Sequence, residues 1–192
     1  MLNGLFPSII IILFFVLFFG FKFFKGSITS LNYYYWIIFG VYLAGLVVFT
    51  LFPFPYQKLL IETMIEDKLG LTHNFIPFNG IKEAVQSGYF PVALKQIGGN
   101  ILLFIPLGFS LPILFSKVKK RIAILISFLV SLTIELIQLI AGKLIGYNYR
   151  AFDVDDLLMN TLGATIGLLV FKFLFGYLKK NNLLINKKQQ SL

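Results

Sequence analysis

Long apolar runs separated by short basic connections dominate the chain. A membrane-spanning helix needs about 20 mainly apolar residues. Five runs approach that length: Leu5–Phe21, Tyr33–Phe54, Ile97–Phe115, Ile122–Ala141 and Leu157–Tyr177. The first resembles a secretory signal in position, but no basic residue precedes it and no small-residue cleavage site follows, so a permanent helix is expected. The second opens on Tyr33, Tyr34, Tyr35 and Trp36, a cluster suited to headgroup level. The pattern predicts an all-α, polytopic bundle of about five transmembrane helices, forming one membrane domain over residues 1–192.

Composition strengthens this reading. Hydrophobic residues make up 58% and charged residues only 13%, against about 25% charged in soluble domains. Mean hydropathy is +0.86, which excludes intrinsic disorder. With no Cys and one His, a disulfide scaffold, thiol chemistry, Fe–S clusters and most zinc sites are excluded. The net charge of +9 would suit nucleic acid, but its distribution says otherwise. Eleven Lys and Arg fall in the loop after the first span, the loop after the third and the tail, with no acid among them. The opposite side carries six, offset by seven acids. The positive-inside rule therefore places the N-terminus outside and the C-terminus in the cytoplasm. Anionic lipid accounts for the basic side, so no nucleic-acid partner is needed.

The connection over residues 55–96 is long, external and charge-balanced. Leu60, Ile61, Met64, Ile65 and Leu69 recur there at helical spacing, predicting a short amphipathic helix in the interface. A weaker stripe of Ile81, Ala84, Val85, Gly88 and Tyr89 follows the turn-like stretch from His73 to Gly80, in which His73 reads as solvated. Residues 178–192 read as a polar cytoplasmic tail.

Polar groups inside spans are costly and mark function by default. Ser131, Glu135 and Gln138 share one face of the fourth span. Asp153, Asp156, Asn160, Gly163 and Gly167 step along one stripe at the start of the fifth, and Asn100 lies near the outer end of the third. Glu135 sits six residues before Ala141, about 9 Å deep at 1.5 Å per residue. These levels match, which predicts a polar pocket opening to the outer face, with Arg150 at its rim to pair with the acids. Asp155 falls off the stripe and reads as the capping or solvated acid. Gly163 and Gly167 form a small-xxx-small packing pattern. No ion-loop spacing is present, so no metal and no cofactor are expected. Ser131 lacks a His or Lys at nucleophile-activating spacing.

These residues also carry a resemblance. Asn100-Ile-Leu-Leu-Phe104-Ile-Pro106-Leu-Gly108, Ser131-Leu-Thr-Ile-Glu135-Leu-Ile-Gln138, and Arg150-Ala-Phe-Asp153-Val-Asp155-Asp156 followed by Asn160, Gly163 and Gly167 resemble the VanZ-like family of bacterial membrane proteins. Thr50-Leu51-Phe52-Pro53 and Asn74-Phe75-Ile76-Pro77-Phe78 fit the same pattern, so the resemblance runs from about Val41 to Leu169. The family is named for a component of glycopeptide-resistance clusters linked to teicoplanin. The resemblance implies lowered glycopeptide susceptibility and supplies no chemical activity. Membrane lipid is the expected partner, with an envelope-lipid or wall-precursor headgroup as ligand of Asn100, Glu135, Gln138, Arg150, Asp153, Asp156 and Asn160. Two rivals stay open: a membrane enzyme using Glu135 or Asp156 as acid or base on a lipid-linked substrate, and a proton-coupled transporter. The lack of an internal repeat weighs against the transporter.

Overall fold

The computed structural model describes residues 1–86, 91 and 94–185. Among the described residues, seven α-helices follow in order: α1 (Leu5–Phe24), α2 (Ser30–Leu51), α3 (Lys58–Glu66), α4 (Asn79–Gln86), α5 (Gly99–Leu114), α6 (Lys120–Ile145) and α7 (Val154–Lys180). A π-helical turn, Leu94–Gly98, leads into α5. Five stretches are long and apolar enough to cross a membrane: α1, α2, the π turn with α5, α6 and α7. Among the described residues there is no strand, only two isolated bridges, Leu2 with Phe54 and Asn74 with Asp153. The chain is thus an all-helical, polytopic membrane bundle.

The helix ends follow local chemistry. Thr29 caps α2, its hydroxyl accepting from the Asn32 N–H at 3.3 Å. Helix α6 stops at Gly146, whose φ of +72° is left-handed and suits glycine. Helix α7 begins earlier than its apolar run, because Asp153 caps it by accepting from the Asp155 N–H at 2.8 Å. Polar first turns explain why α6 and α7 begin before the hydrophobic windows that predicted them.

Helices α1 and α2 form an antiparallel hairpin. Phe19 stacks on Trp36 at 4.3 Å between centroids, and Phe15 crosses Gly40, where a Cβ would lie 2.5 Å from its ring. Two backbone hydrogen bonds between Leu2 and Phe54, 2.8 and 2.9 Å, tie the chain start to the segment after α2. The tightest pair is α5 with α7, joined by α6 and α2 around Leu46, Phe104, Leu107, Leu111, Ala123, Ile134, Ala164 and Leu168. The outer surface is strongly apolar, with residues such as Phe24, Phe49, Leu144 and Phe173 exposed, as lipid contact requires.

This alternation sorts charge by end. The α2 C-terminus, α3, α4, the start of α5, the end of α6 and the start of α7 share one end, here the acidic end, with every Asp and Glu on its side. The turns around Lys22, Lys25, Lys117–Arg121 and Lys179 make the other, basic end.

The amphipathic stripe lies on α3 as far as Ile65, with Leu60, Ile61 and Met64 half-buried and Ile65 exposed; Leu69, also exposed, falls beyond the helix end. The weaker stripe lies on α4 as far as Val85; Gly88 and Tyr89 fall outside the described residues. The tail expectation needs correction at its start. The Tyr35 hydroxyl donates to the Leu183 carbonyl at 2.7 Å, and Ile185 is buried against Ile113 and Leu114. Apolar Leu183, Leu184 and Ile185 give this strap reason to fold back on the bundle.

Candidate functional site

Close helix packing sets the frame. A Cβ at Gly108 would lie 1.9 Å from the Ala164 carbonyl oxygen. One at Gly163 or Gly167 would lie 2.1 Å from the carbonyl oxygen of Ile101 or Ile105. Only hydrogen fits at these points, so the stripe is where the backbones of α5 and α7 touch. That contact brings the Asn100 side chain to Asp156, to whose carboxylate its amide donates.

Around this pair the buried polar groups interlock. Glu135, only 2% exposed, accepts from the Asp153 backbone N–H at 2.8 Å, joining the acidic-end part of α6 to the start of α7. One turn deeper, the Asn160 amide donates to Ser131 Oγ at 2.9 Å, and both are buried. Asn160 Oδ1 is buried with no donor among the described residues, a state that normally costs about 1–3 kcal/mol. Gln138 donates to the Thr50 carbonyl at 2.9 Å and ties α6 to α2. Asn100, Arg150, Asp153 and Asp156, nearer the acidic end, are half-buried.

Three expectations are corrected here. Arg150 forms no ion pair with the acids; its guanidinium donates to the carbonyls of Phe52 (2.6 Å) and Phe49 (3.3 Å). A cation there satisfies orphan carbonyls at the α2 C-terminus and complements its dipole. Asp155 is neither the cap nor solvated: Asp153 is the cap, and Asp155 is 2% exposed. Its carboxylate accepts from the N–H groups of Phe78 and Ile81 and from the Asn74 amide. His73 is half-buried and its Nδ1 accepts from the Phe152 N–H at 3.0 Å.

The segment from His73 to Ile81 thereby becomes part of the site. Asn74 donates to Asp153 at 2.8 Å, its N–H donates to the Phe152 carbonyl, and its carbonyl accepts from the Val154 N–H. Phe75 stacks on Phe152 at 5.2 Å. Reading by helical period could not find this docking, because backbone pairing between loops leaves no periodic trace. The Asn-Phe-Ile-Pro-Phe motif was the available signal.

The electrostatics are one-sided. Glu135, Asp153, Asp155 and Asp156 crowd together, and the ion pair found among the described residues, Lys58 with Glu62 at 3.7 Å, is elsewhere. Burial, followed by the neighbouring Asp155 and Glu83 charges, pushes the Asp153 carboxyl above its ordinary value of 3.8, against the opposing hydrogen bonds from the Asp155 N–H and Asn74. Among the described residues, no three His, Asp or Glu side chains converge as a metal set. What remains is a cluster of oxygen acceptors. It suits a ligand that brings donors, such as hydroxyls or an ammonium.

Comparison with known proteins agrees with the sequence motifs. The sequence profile of the VanZ/LLP1 family matches residues 39–175. Protein VanZ of Enterococcus faecium is 28% identical over 131 residues, covering 68% of this chain and 69% of the relative. No solved structure matches the chain. The matched stretch runs from the middle of α2 almost to the end of α7 and contains every residue of the cluster, and the chain belongs to the VanZ/LLP1 family.

Proposed function

We propose that this protein lowers susceptibility to lipid-anchored glycopeptides of the teicoplanin type by engaging the headgroup of an envelope lipid or wall precursor at the acidic cluster. The cluster then faces the outer leaflet, in keeping with the distribution of Lys and Arg. The observation that carries the proposal is Asn160 Oδ1, a buried acceptor without a donor among the described residues, beneath a group of carboxylates that make no ion pair among those residues. A purely structural cluster would satisfy such groups internally. A headgroup rich in hydroxyls or carrying an ammonium supplies the missing donors. Glu135 and Asp156 would receive those bonds, and Asn100 would orient Asp156.

This revises the role of Arg150. With its guanidinium on the α2 carbonyls, it holds the rim in shape rather than acting as the main anion trap. One observation favours a second reading, an acid–base enzyme on a lipid-linked substrate: two span carboxylates, Glu135 and Asp156, lie within electrostatic reach of each other. Binding needs only affinity, whereas the enzyme needs turnover.

The test is a headgroup-resolved comparison of lipids co-purifying with wild type and with Asn160→Leu. Loss of one donor-rich headgroup class from the variant is the expected result. Identical lipid profiles for two well-folded proteins would refute the site. A chemically altered lipid in cells carrying wild type alone would favour the enzyme.

A further inference from the structure

A cavity of about 930 Å³ lies at the basic end, far from the acidic cluster. Its walls come from the end of α5, the start of α6, the last turns of α7 and the strap that folds back beyond Asn182. The interior is apolar, with Ile113, Leu168 and Ile185 buried and Phe171 half-buried. Three lysines line it, Lys120, Lys172 and Lys179, all exposed. No acid stands among the lining residues. None occurs anywhere between Glu83 and Glu135, or after Asp156. Among the described residues, the lysines therefore have no carboxylate partner on this end of the molecule.

We propose that this cavity binds an anionic phospholipid of the adjoining leaflet, its phosphate held among Lys120, Lys172 and Lys179 and an acyl chain laid against Ile113, Leu168 and Phe171. Charge complementarity selects the headgroup: a cluster of lysines at a membrane boundary attracts anionic lipid. Apolar walls select a lipid over free phosphate, since a soluble anion leaves those walls without a partner. The chain's own C-terminal residues do not suit the site. They add Lys187 and Lys188 with no acid, so they carry the same charge as the rim. The strap gives the cavity a fixed wall, because Tyr35 holds the Leu183 carbonyl and Ile185 is anchored in a small apolar cluster.

The test uses the full chain in nanodiscs of phosphatidylglycerol and phosphatidylcholine, with retained lipid counted by native mass spectrometry after transfer to detergent. Wild type should retain phosphatidylglycerol selectively. The triple variant Lys120→Gln/Lys172→Gln/Lys179→Gln should lose about 100-fold in that retention, and Lys172→Gln alone about fivefold. A charge-matched control, Lys119→Gln/Arg121→Gln/Lys180→Gln, removes three cations from the same end without touching the lining. It should change retention by less than about threefold, the distance-weakened share of surface attraction. Equal losses in the two triple variants would overturn the site in favour of diffuse surface charge. No preference over phosphatidylcholine, or full competition by soluble glycerol phosphate, would overturn it too. Glu135→Gln should leave phosphatidylglycerol retention intact, which separates this outcome from the fate of the acidic cluster.

Discussion

Replacing Gly163 by Ala tests how the acidic cluster is held together. The new methyl would meet the Ile101 carbonyl oxygen at 2.1 Å and its carbon at 2.9 Å. Both are helix backbone, so no side chain can rotate away. Recovering ordinary contact near 3.4 Å needs α5 and α7 to separate by roughly 1.3 Å at this point. Overpacking of this kind costs about 1–3 kcal/mol, roughly a 5- to 150-fold shift in the folded-to-unfolded ratio. The separation also acts on the site, because Asn100 precedes Ile101 and bonds to Asp156 across the same two helices. The assay is reversible unfolding in mixed micelles, read by Trp36 fluorescence, with Gly176→Ala as control. Gly176 lies on the same helix with nothing within 4 Å of a new Cβ, so that change should be neutral or add up to about 1 kcal/mol of helix propensity. If Gly163→Ala is as stable as Gly176→Ala, the close contact of α5 and α7 does not organise the site.

Other consequences follow from the same geometry. Asp155→Ala strands the Phe78 and Ile81 N–H groups, at about 1–3 kcal/mol for each buried orphan, while the Asn74 amide keeps its bond to Asp153; trypsin should then cut faster at Lys82, and an unchanged rate would refute the anchoring role. Arg150→Gln should weaken the α2 C-terminus by about 1–3 kcal/mol, while Arg150→Lys retains part of that stability; full stability in the Gln variant would return Arg150 to a ligand role. For Asp153, a pKa raised on folding means that the native state binds the proton more readily, so stability falls as pH rises from about 3.8 through the raised value. Asp153→Asn keeps a capping oxygen and should flatten that slope; an unchanged slope would refute the assignment. An impermeant thiol reagent on intact cells should label Asn3→Cys and spare Asn181→Cys, and the reverse pattern would invert the topology.

The five spans were legible because an apolar run of membrane length has few alternatives. Their ends were less so, since the first turns of α6 and α7 carry Lys120, Arg121, Asp155 and Asp156, which hydropathy discounts. That α7 packs closely on a neighbour could be anticipated from Gly163 and Gly167, because only small residues permit such an approach, but the pattern does not say that the neighbour is α5. Asn100, Glu135 and Asp156 could be placed at one level by counting helical rise. Loop partnerships stayed out of reach. Asp155 read as a capping or solvated acid because it leaves the helical stripe, yet leaving the stripe is what turns it toward Phe78 and Ile81. Arg150 looked like a partner for acids by charge alone, but the α2 carbonyls reached it first. Neither contact follows a period, so neither could be read from spacing.

Protection against teicoplanin by Glu135→Gln, at membrane levels matched to wild type in a susceptible Gram-positive host, tests the central claim most directly. The substitution keeps size and an accepting oxygen for the Asp153 N–H, while removing the charge and the titratable proton. The account predicts a normally inserted protein whose protection is lost, with Asn160→Leu giving the same defect. Wild-type protection by both variants would contradict it and leave the acidic cluster as structural joinery.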